Sequence, residues 1–217
     1  MIAEELESWM RTRDWTLSAE TCDRLETLVG LWLRYGAVMN LTGARSRAEL
    51  LPHVIDGLDT AWLVRKEVGS GDEYRWLDLG SGGGFPGLVI AAVGEWPLML
   101  MEPRQKRASF LELALRSIGQ GSIGVRTARF DASTWSQDAA NGYIRRVESE
   151  MRICSARAVW EPSEWRRNAF HVAGSGCHVV FHLGEAISSD GLGIRASISS
   201  TRGSIAVGAA GADGEAR

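Results

Sequence analysis

A single stretch limits what this chain can become: Arg75-Trp-Leu-Asp-Leu-Gly-Ser-Gly-Gly-Gly-Phe-Pro-Gly87. The apolar run Trp76 to Leu79 reads as a buried strand of a parallel sheet. Glycines break it, and Leu88 to Val93 resumes as a buried helix. Pro86 suits the first turn of that helix, where a missing N–H costs nothing. Strand, glycine turn and helix together predict an α/β sheet with a nucleotide site at its rim. Glycine lets the backbone approach a ligand closely, and the helix start offers unpaired N–H groups.

Two ligand classes compete for this loop. Gly82-x-Gly84-x-x-Gly87 satisfies the dinucleotide fingerprint, a weak pattern by itself. Asp78-x-Gly80-x-Gly82-x-Gly84 has instead the register by which S-adenosylmethionine (SAM) methyltransferases are recognised, and SAM is the favoured reading.

The flanking pattern fills in a doubly wound, mostly parallel sheet. Strands are expected at 98–101, 123–127, 151–155 and 178–183, with helices at 106–118 and 163–173. Residues 132–150 are polar and poorly periodic, a loop with one uncertain helix. Residues 1–70 read as a helical extension. Ser18 caps a helix carrying Leu25, Leu28, Val29, Trp32 and Leu33, and Asn40 to Gly43 turns it. Ser46-x-x-Glu49 is a capping box, and Pro52 is expected to end that short helix and start another. Three segments result: a helical extension over 1–70, a cofactor-binding core over 71–207, and a disordered Ala/Gly-rich tail over 208–217.

Composition excludes several classes. No apolar run is long enough to span a membrane, and the acidic N-terminus has no signal-peptide pattern. A cytoplasmic monomer is expected. Cys22, Cys154 and Cys177 are odd in number and widely spaced, which fits neither a disulfide framework nor a zinc site. The four histidines lack ligand spacing, so no metal is expected. The net charge of −3 argues against non-specific coating of nucleic acid but leaves room for a local basic face.

Ligands in such sheets bind beyond the carboxyl ends of the strands. That rule gathers Gly80, Gly82, Phe85, Glu102, Phe130, Asp131 and Arg157 onto one rim. Glu102, twenty residues past Gly82, is placed to accept from the ribose hydroxyls. Asp131 is a candidate for the adenine amino group, with Phe130 or Phe85 against the ring. Arg157, after the fourth strand, is a candidate partner for the cofactor carboxylate or an RNA phosphate. The same strand end helps choose the reaction. Cys154-Ser155-Ala156-Arg157 contains neither an amine-holding Pro-Pro-aromatic motif nor a Pro-Cys nucleophile. Attack by a lone pair that needs no prior deprotonation, such as guanine N7, remains compatible.

These motifs are similar to those of the RsmG (GidB) family, SAM-dependent enzymes that methylate N7 of a guanine in bacterial 16S ribosomal RNA. The resemblance is carried by Asn40-Leu41-Thr42, His53-x-x-Asp56, Leu77 to Gly87, Lys106-Arg107 before Phe110-Leu111, Arg129-Phe130-Asp131, and Ser155 to Val159. It implies a Rossmann-like methyltransferase fold in which Gly80, Phe85, the 130–131 pair and Arg157 touch SAM. It further implies that His53, Asp56, Lys106 and Arg107 shape the site or meet RNA, with 16S rRNA or the small ribosomal subunit as partner. The chain departs from the family at Glu150-Met151-Arg152, where an acid usually opens the fourth strand. It departs again at Phe181-His182-Leu183-Gly184, where a lysine usually follows the fifth. Two alternatives stay open: a methyltransferase acting on a small molecule or protein, and a non-catalytic RNA- or ribosome-binding module.

Overall fold

The structure is a computed structural model that describes residues 2–131, 151–174, 176–184 and 191–210. Three helices come first: α1 (Ile2–Arg13), α2 (Ala19–Met39) and α3 (Arg47–Glu67). There follow β1 (Arg75–Leu79), α4 (Gly87–Val93), β2 (Leu98–Met101), α5 (Gln105–Ser117) and β3 (Gly124–Arg126). The second half holds β4 (Met151–Ala156), α6 (Pro162–Ala173), β5 (His178–Leu183), β6 (Ile194–Ser200) and β7 (Gly203–Ala209). The expected loop and helix over 132–150 lie outside the described residues.

The strands form one sheet in the order β3-β2-β1-β4-β5-β7-β6. The first five pair in parallel, and β7 runs antiparallel to both β5 and β6. Strand order reverses between β1 and β4, and at such a switch point a crevice opens beyond the strand ends.

Side chains alternate across the sheet, as strand geometry requires. Trp76, Leu100, Ile153 and Val180 enter one buried layer. Leu77, Leu79, Met101, Cys154, Val179 and Phe181 enter the other, under α6 with Trp165, Ala169 and Val172. The first layer also takes Leu25, Leu28 and Trp32 of α2 and Val54 and Leu58 of α3. The helices before residue 70 therefore share one core with the sheet.

Several local features follow directly from sequence. Ser18 Oγ accepts from the Thr21 N–H, and Asn40 closes α2 in the left-handed region. Ser46 Oγ accepts from the Glu49 N–H, while the Glu49 carboxylate reaches back to the N–H of Arg45. Two expectations are corrected. Pro52 does not divide the helix: α3 runs through it. One backbone hydrogen bond is lost there, but only a continuous helix aligns Leu50, Val54, Leu58, Ala61 and Val64, all fully buried. Of the tail expected over 208–217, residues 211–217 lie outside the described residues, and its start is not a tail. Gly208 and Ala209 belong to β7, and Ala210 is buried. The small residues of β6 and β7 diluted the apolar signal from which strands are read.

Candidate functional site

The glycine turn grows out of β1 and is pinned to β2. The N–H groups of Gly80 and Ser81 both donate to the Met101 carbonyl, at 2.8 and 3.0 Å. Gly80 has φ +70, and a Cβ there would lie 2.6 Å from Val159, so only glycine fits. Gly83 is held from outside the sheet: the Trp32 indole N–H donates to its carbonyl at 2.7 Å. A Cβ on Gly83 would meet the Leu41 carbonyl oxygen at 2.5 Å. Phe85, joined to Pro86 by a cis peptide, stacks on Trp32 with ring centres 4.2 Å apart.

Beneath the turn, Asp78 is buried and takes a hydrogen bond from Ser155 Oγ at 2.7 Å. Ser155 in turn accepts from the Trp76 indole at 2.8 Å. Burial pushes the Asp78 carboxyl up to about 6, against the lowering effect of the Ser155 and Ser81 hydroxyls.

Glu102 ends β2 and is only 3% exposed. Its Oε2 accepts from the Gly82 N–H and its Oε1 from the Arg104 N–H, both at 2.9 Å. A carboxylate has about four lone-pair sites, so each oxygen keeps capacity to accept from a vicinal diol.

The turn, Glu102, Phe85, His53, Phe130 and Arg157 all line one cavity of about 640 Å³. Phe130 meets Trp160 edge to face at 5.8 Å, making an apolar side wall. Asp131 is exposed and does not line the cavity. Lys106 is likewise exposed on α5 and outside it, whereas Arg107 lines it and donates to the Asn40 carbonyl at 2.6 Å. The charge of the lining is lopsided: among the described residues, Arg104, Arg107, Arg129, Arg157 and Arg202 face Glu102 as the sole acid.

The structure pairs Arg157 with Asp56. Nη1 lies 2.8 Å from Oδ2 of the buried carboxylate, close enough for an ion pair though not aligned as a hydrogen bond. Ser200 Oγ donates to the other oxygen, Oδ1, at 2.5 Å. His53 sits between rings and cations, 4.9 Å from the Phe85 ring centre, with Nε2 3.1 Å from Arg202 Nη1. Burial, then repulsion from Arg202 and Arg157, lowers its pKa to about 4. His182 of β5 contacts Thr60 Oγ1 through Nε2 at 3.1 Å, and burial holds it near 4 as well.

Sequence reading missed Arg202 and Trp160 as site residues. Arg202 arrives on the turn between β6 and β7, whose Thr201 hydroxyl donates to the Pro52 carbonyl at 3.0 Å. A short Ser-Thr-Arg-Gly turn far from any motif carries no signal of where it docks. Trp160 could have been noticed as an aromatic three residues past Arg157.

Residues 21–186 match the family described as GidB, rRNA small subunit methyltransferase G. The ribosomal RNA small subunit methyltransferase G of Rhizobium meliloti is 32% identical over 176 residues, covering 77% of this chain and 74% of the relative. That of Zymomonas mobilis is 40% identical over 108 residues, 48% of each chain, and that of Gluconobacter oxydans is 36% identical over 120. The match thus spans about half the length of the latter two relatives, 48% and 58%. In fold, the chain is similar to a Bacillus cereus O-methyltransferase solved in complex with SAH, with TM-score 0.54 and 15% identity. That alignment covers 86% of this chain and 91% of the other. A Rossmann-like methyltransferase fold and a family match across three quarters of its length place this chain in the GidB family of rRNA small subunit methyltransferases.

Proposed function

We propose that this chain is a SAM-dependent methyltransferase acting on guanine N7 in bacterial 16S rRNA, free or in the small ribosomal subunit, as a cytoplasmic monomer. One observation carries the reading. A single cavity combines a carboxylate bound to the glycine turn with five arginines, in a chain whose net charge is −3. Glu102 and the tight turn suit a ribose, and the arginines suit a phosphate backbone.

The residues present fit the adenosyl group. Gly80 and Gly82 leave the cradle free of Cβ atoms where the backbone takes positive φ. Glu102 retains lone pairs for the ribose diol. Phe130 and Trp160 offer a wall for the adenine ring, and the displaced Asp131 leaves the ring's edge to the backbone around Ala128. The cofactor supplies an electrophilic methyl on a sulfonium. The protein's task is alignment, because N7 attacks with a lone pair and needs no base to free it. His53 stays neutral beside Arg202 and Arg157, where a third cation would repel both. Arg104, Arg107 and Arg129 at the cavity lining meet RNA phosphates.

The test is a map of N7-methylguanosine in 16S rRNA from a deletion strain, paired with calorimetric titration of SAM into the protein. One modified guanine should vanish from the map, and SAM should bind at one site. An unchanged map with SAM bound would move the substrate to a small molecule or protein. Absence of SAM binding would leave only a binding module.

A further inference from the structure

A second cavity of about 340 Å³ adjoins the first and shares Arg157, Ala158, Trp160 and Arg202 with it. Its size falls at the lower end of ligand pockets, roughly 300–1,000 Å³. Its charges are sorted. The two arginines stand on the side shared with the first cavity, while Asp56, Glu161 and His182 line only the second. The Asp56 side chain is 3% exposed, and its Oδ2 accepts no hydrogen bond from any described group. The Arg157 cation 2.8 Å away offsets the charge of that oxygen but leaves its lone pairs open to a donor.

Guanine is sorted in the same sense. Its O6 and N7 accept on one edge, while N1–H and the 2-amino group donate on the next. We propose that the second cavity seats the methyl-accepting guanine, with O6 and N7 turned toward Arg157 and Arg202 and the N1–H and 2-amino edge turned toward Asp56. This rests on the rRNA guanine-N7 reading above and adds the residues that select the base. In that pose N7 faces the cofactor cavity, and the base has left its stack to reach it. Adenine presents an amine where guanine has O6 and has no proton on N1, so it would face the arginines and Asp56 with both edges mismatched.

The experiment uses small subunits reconstituted with 16S rRNA that carries guanine or inosine at the mapped position. Inosine lacks only the 2-amino group. The full-length protein should methylate the guanine subunits with kcat/KM at least about tenfold above the inosine ones, the scale of one hydrogen bond to a buried charge. In Asp56→Asn that preference should shrink to about threefold or less, with the SAM Kd unchanged. Equal use of inosine by the wild type, or full preference retained by Asp56→Asn, overturns the proposal while leaving the rRNA function intact. Should Asp56→Asn lose SAM binding through misfolding, Arg202→Gln at the exposed hairpin turn decides. A tenfold or greater drop in kcat/KM for guanine subunits at unchanged SAM Kd supports the proposal, and wild-type kinetics overturns it. SAM binding with no guanine methylated by the wild type removes the functional reading, and this inference with it.

Discussion

The two cavities are built in opposite ways. The cofactor end of the first is made mostly of backbone: a glycine turn pinned to the carbonyl of Met101, and one carboxylate bonded to two N–H groups. The second is made of charged and polar side chains brought from four places, Asp56 on α3, Arg157 after β4, the neutral His182 on β5 and Arg202 on the β6–β7 turn. A site of backbone and glycine is specified by consecutive residues and tolerates few changes of volume. A site of buried charges depends on partners more than a hundred residues apart, and its weakness is electrostatic. Damage should therefore show as lost stability in the second cavity and as lost cofactor affinity in the first.

The largest expected effect tests the second half of that contrast. Arg157→Ala leaves the Asp56 carboxylate buried without its cation, for which about 3–5 kcal/mol of destabilisation is typical. Asp56→Asn combined with Arg157→Met removes both charges and should cost much less, because neither is left uncompensated. Urea unfolding of the wild type, single and double variants measures the coupling. Equal losses in the single and double variants would mean that the pair matters only through its packing.

Glu102→Ala should act chiefly on cofactor binding in the first cavity, with a smaller loss of stability from the Gly82 and Arg104 N–H groups left without their acceptor. Two hydrogen bonds to a charged acceptor, each worth about 1.5–3 kcal/mol, would be lost to the ribose, so SAM should bind weaker by a hundredfold or more. Calorimetry reads this directly, and a change under threefold would detach Glu102 from the cofactor. Trp32→Phe is the next step down. It keeps the stack on Phe85 but leaves the Gly83 carbonyl without its buried donor, a cost of about 1–3 kcal/mol. Part of that loss should appear as weaker SAM binding, since the turn itself is loosened.

The same contrast explains what could be read from the sequence. The first cavity was legible because its information is local: Asp78, the glycines and Glu102 fall within 25 residues, and each glycine marks a backbone demand. The capping of α2 and α3 was legible for the same reason. The second cavity was only half legible. Asp56 and Arg157 were singled out as candidates, but nothing in their spacing says that they pair. Arg202 gave no signal, because its position depends on a hairpin of Ser, Ala and Gly residues whose pairing with β5 is set by tertiary packing. Pro52 failed in the opposite direction: a strong local rule lost to five buried side chains that needed one straight helix.

The smallest effect concerns pH, and here two histidines and a buried carboxyl oppose each other. His53 and His182 have folded-state pKa values near 4, against about 6.5 in an unfolded chain. Between those values the unfolded chain binds protons that the native state refuses, so both histidines withdraw stability as pH falls from about 6.5 toward 4. Asp78 behaves in reverse. Its native value of about 6 exceeds the usual value near 3.9, so below pH 6 the native state gains a proton first and is favoured. From pH 7.5 to 6 the two histidines outweigh Asp78, which is half protonated in the native state at pH 6, and the melting temperature should drop by roughly 2–4 °C. Below 6 the protonated Asp78 cancels about one of the two histidine protons, so the fall continues at about half the slope the histidines alone would give. His53→Gln should reduce the drop above pH 6 and leave the curve nearly flat below it, because Asp78 then cancels the one remaining histidine. A melting temperature constant from pH 7.5 to 5 would overturn this, since the two histidines would then not be held neutral in the native state.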